Sequence, residues 1–346
     1  MKNELNQINI LYLIKTMDVG GAEKFTLNLC KYFSAKVKKI VVYSSGGIFV
    51  KQLEKINIEH IKSERANSGN LLKIRSEISK IISHGNFDII HSQHRIFLPI
   101  LKTINTGTAK IIYTANNFFD DIYQKLLFAD LAVAISPSIQ NNLFKTTFLS
   151  KDKIRRVNYG VEINRPHNKE NGKFVLGFIG RLIKEKGINQ LVEAIKKINQ
   201  NNVELIICGD GPEKNDIYNI VNHIPENKIQ LLEPLINIDT VYDKIDALIL
   251  PTSLNEGLPI SILEALIKKK IVISTNSGAI TDVVVDNETG LILENNSPKC
   301  ILEKITWILN NKREIELIKE KGYQKVKTEY SMKAMLEGYE RLYIDG

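Results

Sequence analysis

Two basic residues, Arg181 and Lys186, stand five positions apart in the run Gly180-Arg181-Leu182-Ile183-Lys184-Glu185-Lys186-Gly187. One planar guanidinium and one compact ammonium on a single loop suit the oxygens of a diphosphate. Seventy residues after Lys186 come two carboxylates, Glu256 and Glu264, in Glu-Gly-Leu-Pro-Ile-Ser-Ile-Leu-Glu-Ala. An ionised carboxylate accepts hydrogen bonds from vicinal hydroxyls, the groups a ribose or a hexose presents. Backbone amides around Gly257, Leu258, Pro259 and Ile260 are expected to meet phosphate or sugar oxygens. Near the N-terminus, Gly20 and Gly21 precede a helix-like stretch. Glycines there let the backbone turn tightly and approach a ligand, and the helix start behind them offers N–H groups to a phosphate. Each feature also has a plain structural reading: solvated loop cations, a capping charge, a glycine turn.

Other segments supply walls rather than chemistry. Cys208-Gly209-Asp210-Gly211-Pro212 is a glycine turn without the third glycine of a dinucleotide fingerprint, so Gly209 is read as backbone lining a ligand. His91-Ser92-Gln93-His94-Arg95 and Thr114-Ala115-Asn116-Asn117 follow strand-like runs. His91 reads as a site residue or as a satisfied packing histidine. The histidines have no companions at metal-ligand spacing, and the chain has no His-Glu-x-x-His, phosphate-loop or Gly-x-Ser-x-Gly motif.

These residues need elements to position them. Short β-rich runs alternate with amphipathic, helix-length runs. In the first half the strands are expected at Ile8–Ile14, Ile40–Tyr43, Ile89–His91, Lys110–Thr114, Leu131–Ile135 and Ile154–Val157, with helices at Ala22–Phe33, Leu71–Ile82 and Ser138–Phe144. A polar stretch, Asn164–Gly172, reads as a linker. The pattern restarts with strands at Phe174–Ile179, Glu204–Cys208, Ile229–Leu231, Ala247–Leu250, Ile271–Ser274 and Leu291–Leu293, and helices at Ile188–Ile198, Ile260–Ile267 and Lys299–Leu309. The strands are nearly continuous apolar runs, as expected when both sheet faces are buried. Alternation of this kind predicts an α/β protein with two doubly wound parallel sheets. Ligands of such sheets bind beyond the carboxyl ends of the strands, which is where the charged residues fall. The expected division is 1–163, 164–330 and a terminal helix over 331–346, with Met335, Tyr339 and Leu342 near one face.

Bulk properties agree. A chain of 346 residues with 43% apolar residues can fill two cores. No apolar run approaches the ~18–20 residues of a membrane span. No basic segment followed by an apolar stretch precedes Ile8, and a cytoplasmic location is expected. Three well-separated cysteines, Cys30, Cys208 and Cys300, read as reduced thiols. Residues 1–160 hold 23 Lys+Arg against 12 Asp+Glu, a balance of +11, whereas the rest hold 24 against 27, a balance of −3. The basic half suits an anionic membrane face or a phosphorylated acceptor, and Leu71-Leu72-Lys73-Ile74-Arg75 reads as part of such a contact. Solvated lysines in a lysine-rich chain are the alternative. Clustered basic-aromatic motifs for nucleic acid are missing.

Taken in order, these segments resemble glycosyltransferase family 4, the retaining group 1 enzymes of the GT-B fold. The resemblance runs from Ile8 to about Tyr343. It is carried by Gly20-Gly21-Ala22-Glu23, the His91 strand end, Gly180-Arg181 with Lys186-Gly187, Gly209-Asp210-Gly211-Pro212, and Glu256 with Glu264 as the family's Glu-x7-Glu. It implies two Rossmann-like domains facing a cleft and a terminal helix crossing back to the first. It implies that Arg181 and Lys186 hold the donor diphosphate, that Glu264 binds the ribose, and that Glu256, beside the amides of Gly257 to Ile260, binds the transferred sugar. Gly20, Gly21, Gly180 and Gly209 would bring backbone close to the donor, and His91 would join the catalytic set. No metal and no cofactor are implied. The implied partners are a UDP- or GDP-sugar and a saccharide or lipid-linked saccharide acceptor for a surface polysaccharide, with the protein working at the inner face of the cell membrane. The chain departs from the family at Gln93, where a second histidine is usual, at Asn116, at Tyr159-Gly160 and at Gly278-Ala279-Ile280-Thr281-Asp282. The first two positions bear on sugar and acceptor contacts. A sugar-nucleotide epimerase or hydrolase on the same scaffold, and a non-catalytic basic binding protein, are the competing readings.

Overall fold

The computed structural model describes residues 5–67, 70–163, 172–198, 202–224, 228–234 and 238–345. Most of the linker-like stretch Asn164–Gly172 lies outside them. The chain divides into two compact units, one of Met1–Asn158 with Lys333–Gly346 and one of Tyr159–Met332.

The first unit is built on β1 (Asn9–Leu13), β2 (Lys39–Ser44), β3 (Glu59–Lys62), β4 (Ile89–Ser92), β5 (Lys110–Ala115), β6 (Leu131–Ala134) and β7 (Ile154–Arg156). They form one sheet in the order β3-β2-β1-β4-β5-β6-β7, every pair parallel. Chain order reverses between β1 and β4. Strand residues such as Ile10, Leu11, Val42, Ile90, Ile112 and Val133 are buried, because helices must cover both faces of a parallel sheet. Helix Gly21–Phe33 turns Phe25, Leu29 and Phe33 inward at i, i+4 and i+8. Helix Pro137–Thr146 starts as its Ser-Pro sequence predicts: Pro137 needs no partner in the first turn, and Ser136 Oγ accepts from Ile139 N at 3.3 Å.

The second unit repeats the plan with β8 (Phe174–Ile179), β9 (Val203–Cys208), β10 (Ile229–Leu232), β11 (Ala247–Leu250), β12 (Ile271–Thr275) and β13 (Leu291–Leu293). Their order is β10-β9-β8-β11-β12-β13, again all parallel, with reversal between β8 and β11. Both units are therefore parallel α/β folds, in agreement with the alternation of the sequence.

Beyond several short helices, such as Val50–Lys55 and Leu98–Lys102, three elements differ from the sequence reading. β3 is an edge strand of half-exposed Glu-His-Ile-Lys, so it carries no apolar run to reveal it. Helix Lys312–Glu329 is mostly charged, and only a narrow stripe of Ile315, Ile318, Gly322 and Val326 is buried. The terminal helix Met332–Asp345 buries Met335, Tyr339 and Tyr343, a strict i, i+4, i+8 row, and leaves Leu342 half-buried.

That row closes a polar network in the first unit. Tyr343 Oη lies 2.7 Å from His91 Nδ1 and 3.0 Å from Tyr12 Oη, while His91 Nε2 meets Thr114 Oγ1 at 2.8 Å. Thr114 Oγ1 in turn lies 2.9 Å from Tyr339 Oη, and the Tyr339 and His91 rings stack 5.6 Å apart. Gln93 Nε2 also approaches His91 Nε2, at 3.3 Å, though its Oε1 finds no partner among the described residues. The buried network ties the helix to β1, β4 and β5.

Candidate active site

In the second unit the loops after β8 and β11 leave the sheet where chain order reverses, so they diverge and open a crevice at the strands' carboxyl ends. These loops carry Arg181 with Lys186, and Glu256, and the helix that follows the second loop carries Glu264. The β8 loop closes through the short turn Lys184–Lys186 onto Gly187. Gly187 has φ +74°, and a Cβ there would sit 2.1 Å from Pro251 O. Only glycine fits both the torsion and the contact. The two loops are also pinned by Ser253 N donating to Glu185 O at 2.7 Å. Gly209 is needed for a different reason: its Cβ would fall 1.9 Å from Gly180 O, where the β9 loop crosses the β8 loop.

The pinning brings two expected site residues together. Lys186 Nζ and Glu256 Oε1 form an ion pair at 2.6 Å, with side chains only 12% and 13% exposed. Thr252, fully buried after β11, donates from Oγ1 to the same carboxylate oxygen at 2.9 Å. Ala279 N donates to Glu256 O at 3.0 Å and holds the backbone of the loop. Arg181 stands exposed on the same loop as Lys186, with no side-chain partner among the described residues. Lys186 is thus already paired with Glu256, and the Arg181 guanidinium is the cation of this loop open to an anion.

Glu264 lies in the second turn of helix Ile260–Ile267, beyond the reach expected of a first-turn charge. Its position is set instead by the buried Tyr242, whose hydroxyl donates to Glu264 Oε2 at 2.9 Å. Tyr242 is a residue the sequence reading missed. It ends the short helix Asp239–Tyr242, and nothing in its spacing points to Glu264. The expected row of amides also needs correction: Pro259 has no N–H, so Gly257, Leu258 and Ile260 alone supply donors from that run.

In the first unit, reversal between β1 and β4 places Gly20-Gly21 and Gln93-His94 at the corresponding crevice. The glycines do not work as the sequence suggested. Gly20 is extended, at φ −171°, and Gly21 is already the first helical residue. A Cβ on Gly20 would lie 2.2 Å from Glu23 Oε2, the mobile end of a long side chain, so neither torsion nor space demands glycine there. The Glu23 carboxylate lies over the start of its own helix. The expectation of a catalytic His91 also fails. The ring is fully buried, and both nitrogens are taken by Tyr343 and Thr114. Burial drives its pKa down to about 3, so it stays neutral and packs. His94, with Nδ1 accepting from Lys15 N at 3.3 Å, is likewise held neutral by burial, aided by the nearby Lys15 charge, at about 4. Among the described residues no three His, Cys, Asp or Glu side chains gather as a metal site requires.

A family described as glycosyl transferases group 1 matches residues 161–325, and one described as glycosyltransferase family 4 matches residues 19–165. The chain is 28% identical over 232 residues to the capsular polysaccharide biosynthesis glycosyltransferase CapM of Staphylococcus aureus, covering 61% of this chain and 60% of that one. It is 24% identical over 329 residues to a Campylobacter jejuni α-1,4-N-acetyl-D-galactosaminyltransferase, covering 88% and 89%. Among solved structures, a glycosyltransferase from Rickettsia africae superposes with a TM-score of 0.80 at 24% identity over 98% of each chain. HepE from Anabaena, solved with UDP and glucose, gives 0.82 at 17% identity over 97% of this chain and 99% of that one. Both likenesses are of fold; the two family matches, which together run from residue 19 to residue 325, make this chain a member of glycosyltransferase family 4, the group 1 glycosyltransferases.

Proposed function

We infer that this glycosyltransferase takes its sugar from a UDP- or GDP-sugar and retains the anomeric configuration as it passes that sugar to a saccharide or lipid-linked saccharide acceptor. The observation that carries the reading is the Lys186–Glu256 pair at the β8/β11 crevice, with Arg181 unpaired on the same loop. In this reading Arg181 and Lys186 grip the diphosphate, Glu264 binds the ribose hydroxyls, and Glu256 orients the sugar. As the bond from the anomeric carbon to phosphate oxygen breaks, charge gathers on the leaving diphosphate, and the two cations stabilise it where it develops. The acceptor oxygen bonds to the same face of the anomeric carbon and gives its proton to the departing phosphate oxygen. The work of the protein is charge stabilisation, for which His91 is not required.

The names of relatives support the acceptor class. The Campylobacter relative is named for adding N-acetylgalactosamine to an undecaprenol diphosphate-linked saccharide, and CapM for capsular polysaccharide biosynthesis. A surface polysaccharide assembled on a lipid carrier at the cytoplasmic membrane face is the acceptor system proposed here. Transfer assays on Arg181→Ala and Lys186→Ala test the site: each is expected to slow turnover by about 100-fold or more. Near-normal turnover in both contradicts it. The anomeric configuration of the product, read by NMR, tests retention.

A further inference from the structure

The first unit carries an apolar surface that the transferase reading leaves unused. Between β5 and β6, the short helix Ile122–Lys125 starts at Asp121, whose carboxylate caps Gln124 N at 2.9 Å and is paired with Arg95 at 2.5 Å. Its sidedness is inverted relative to an ordinary surface helix. Gln124 is buried, 1% exposed, with neither amide atom hydrogen-bonded among the described residues. Ile122, Tyr123 and Leu126 face outward, 59%, 65% and 58% exposed. Phe148, 78% exposed, is set against the same helix by its N–H donating to Lys125 O at 3.1 Å. Phe144, near the end of Pro137–Thr146, is 37% exposed. These are five of the thirteen large apolar side chains exposed among the described residues, and all five fall within the 27 positions from Ile122 to Phe148.

The charges around the patch indicate what covers it. Lys125, Lys145 and Lys151 are exposed beside it, with Lys151 Nζ 5.8 Å from the centre of the Phe144 ring. The charge of Asp121 is taken up by Arg95, and the exposed Asp120 and Asp152 adjoin the segment in sequence. The whole first unit nevertheless holds 25 Lys+Arg against 15 Asp+Glu, a balance of +10. Aromatic and aliphatic side chains flanked by three lysines, on a basic body, match the boundary between acyl chains and anionic headgroups. The Leu71–Arg75 segment suits that role less well. There Leu71 and Leu72 face outward, but Ile74 is buried and Arg75 is tied to Thr103 O at 2.8 Å.

We propose that the patch formed by Ile122, Tyr123, Leu126, Phe144 and Phe148 docks this protein on an anionic bilayer. The apolar side chains enter the interface and the flanking lysines meet lipid phosphates. The proposal deepens the reading of a lipid-linked acceptor, but it is tested without turnover. Full-length protein is sedimented with phosphatidylcholine vesicles and with vesicles containing about 30% phosphatidylglycerol. Binding to the anionic vesicles is expected to exceed binding to the neutral ones by about 10-fold or more. Leu126→Glu with Phe148→Glu is expected to lose about 10-fold or more of that binding. Leu126→Ser with Phe148→Ser should lose a similar amount, which separates lost apolar contact from added repulsion, and Leu72→Glu should lose little. Nucleotide-dependent thermal shifts in the same variants report folding and the donor site separately. The proposal is overturned if the wild type shows no preference for anionic vesicles, or if both double variants bind as it does. It is also overturned if they alter only self-association, which would make the patch a contact between copies of this chain.

Discussion

Lys186 and Glu256 largely cancel each other's charge at 2.6 Å, so a diphosphate entering this site has to draw Lys186 away from a partner it already has. Glu256→Gln removes that competition. It is expected to leave nucleotide affinity unchanged or a few-fold tighter while slowing transfer by about 100-fold. A weaker nucleotide with normal transfer would reverse the assignment. Tyr242 makes a second residue-scale prediction. Its hydroxyl orients the Glu264 carboxylate, and hydrogen bonds to charged groups contribute about 1.5–3 kcal/mol. Tyr242→Phe is expected to raise donor KM by about 10-fold and leave acceptor KM unchanged, a split that general loosening would not produce. At this scale the sequence disclosed the charged residues and hid their pairing. Residue types and strand-end positions mark Arg181, Lys186, Glu256 and Glu264, but a pair seventy positions apart forms only because Gly187 lets two loops touch.

At the level of elements, the loop after β8 is set by that glycine. Gly187→Ala forces a Cβ against Pro251 O at a positive φ, and should cost more than the ~1 kcal/mol of torsional strain alone. Chemical denaturation checks the loss, and turnover should fall with it because Lys186 moves. In the first unit, His91 links β4 to β5 and the terminal helix. Burial holds its pKa near 3, below the ordinary value of 6.5. The unfolded chain therefore takes up this proton first as pH falls. The contribution to stability is complete above about 6.5 and is lost at up to roughly 1.4 kcal/mol per pH unit down to about 3. His91→Gln should flatten that slope between pH 7 and 5 in denaturation titrations, and an unchanged slope would place the proton elsewhere. The strands were legible because a parallel sheet covered on both faces writes continuous apolar runs. The edge strand β3 and the charged helix Lys312–Glu329 were not, because each buries too little to leave a period. The sequence left His91 open between a site residue and a packing histidine, since its partners Tyr343 and Thr114 come from distant segments.

Over the whole molecule, the two units share one plan and differ in charge: the basic first unit carries the apolar patch, and the second carries the cations and carboxylates. No described helix is long and apolar enough to cross a membrane. The division of labour makes ligand effects separable. On the proposed reading, a nucleotide bound by the second unit stabilises that unit by about 2.7 kcal/mol when ligand stands at 100 times Kd, and its unfolding temperature rises. The sensitivity to acid through His91 belongs to the first. The most direct measurement of the central claim is calorimetric titration of UDP and of GDP into the wild-type protein and into Arg181→Ala with Lys186→Ala. The account predicts that at least one nucleotide binds the wild type and binds the double variant about 100-fold more weakly, some 2.7 kcal/mol. Failure of both nucleotides to bind the wild type, or equal affinity in the double variant, would contradict it.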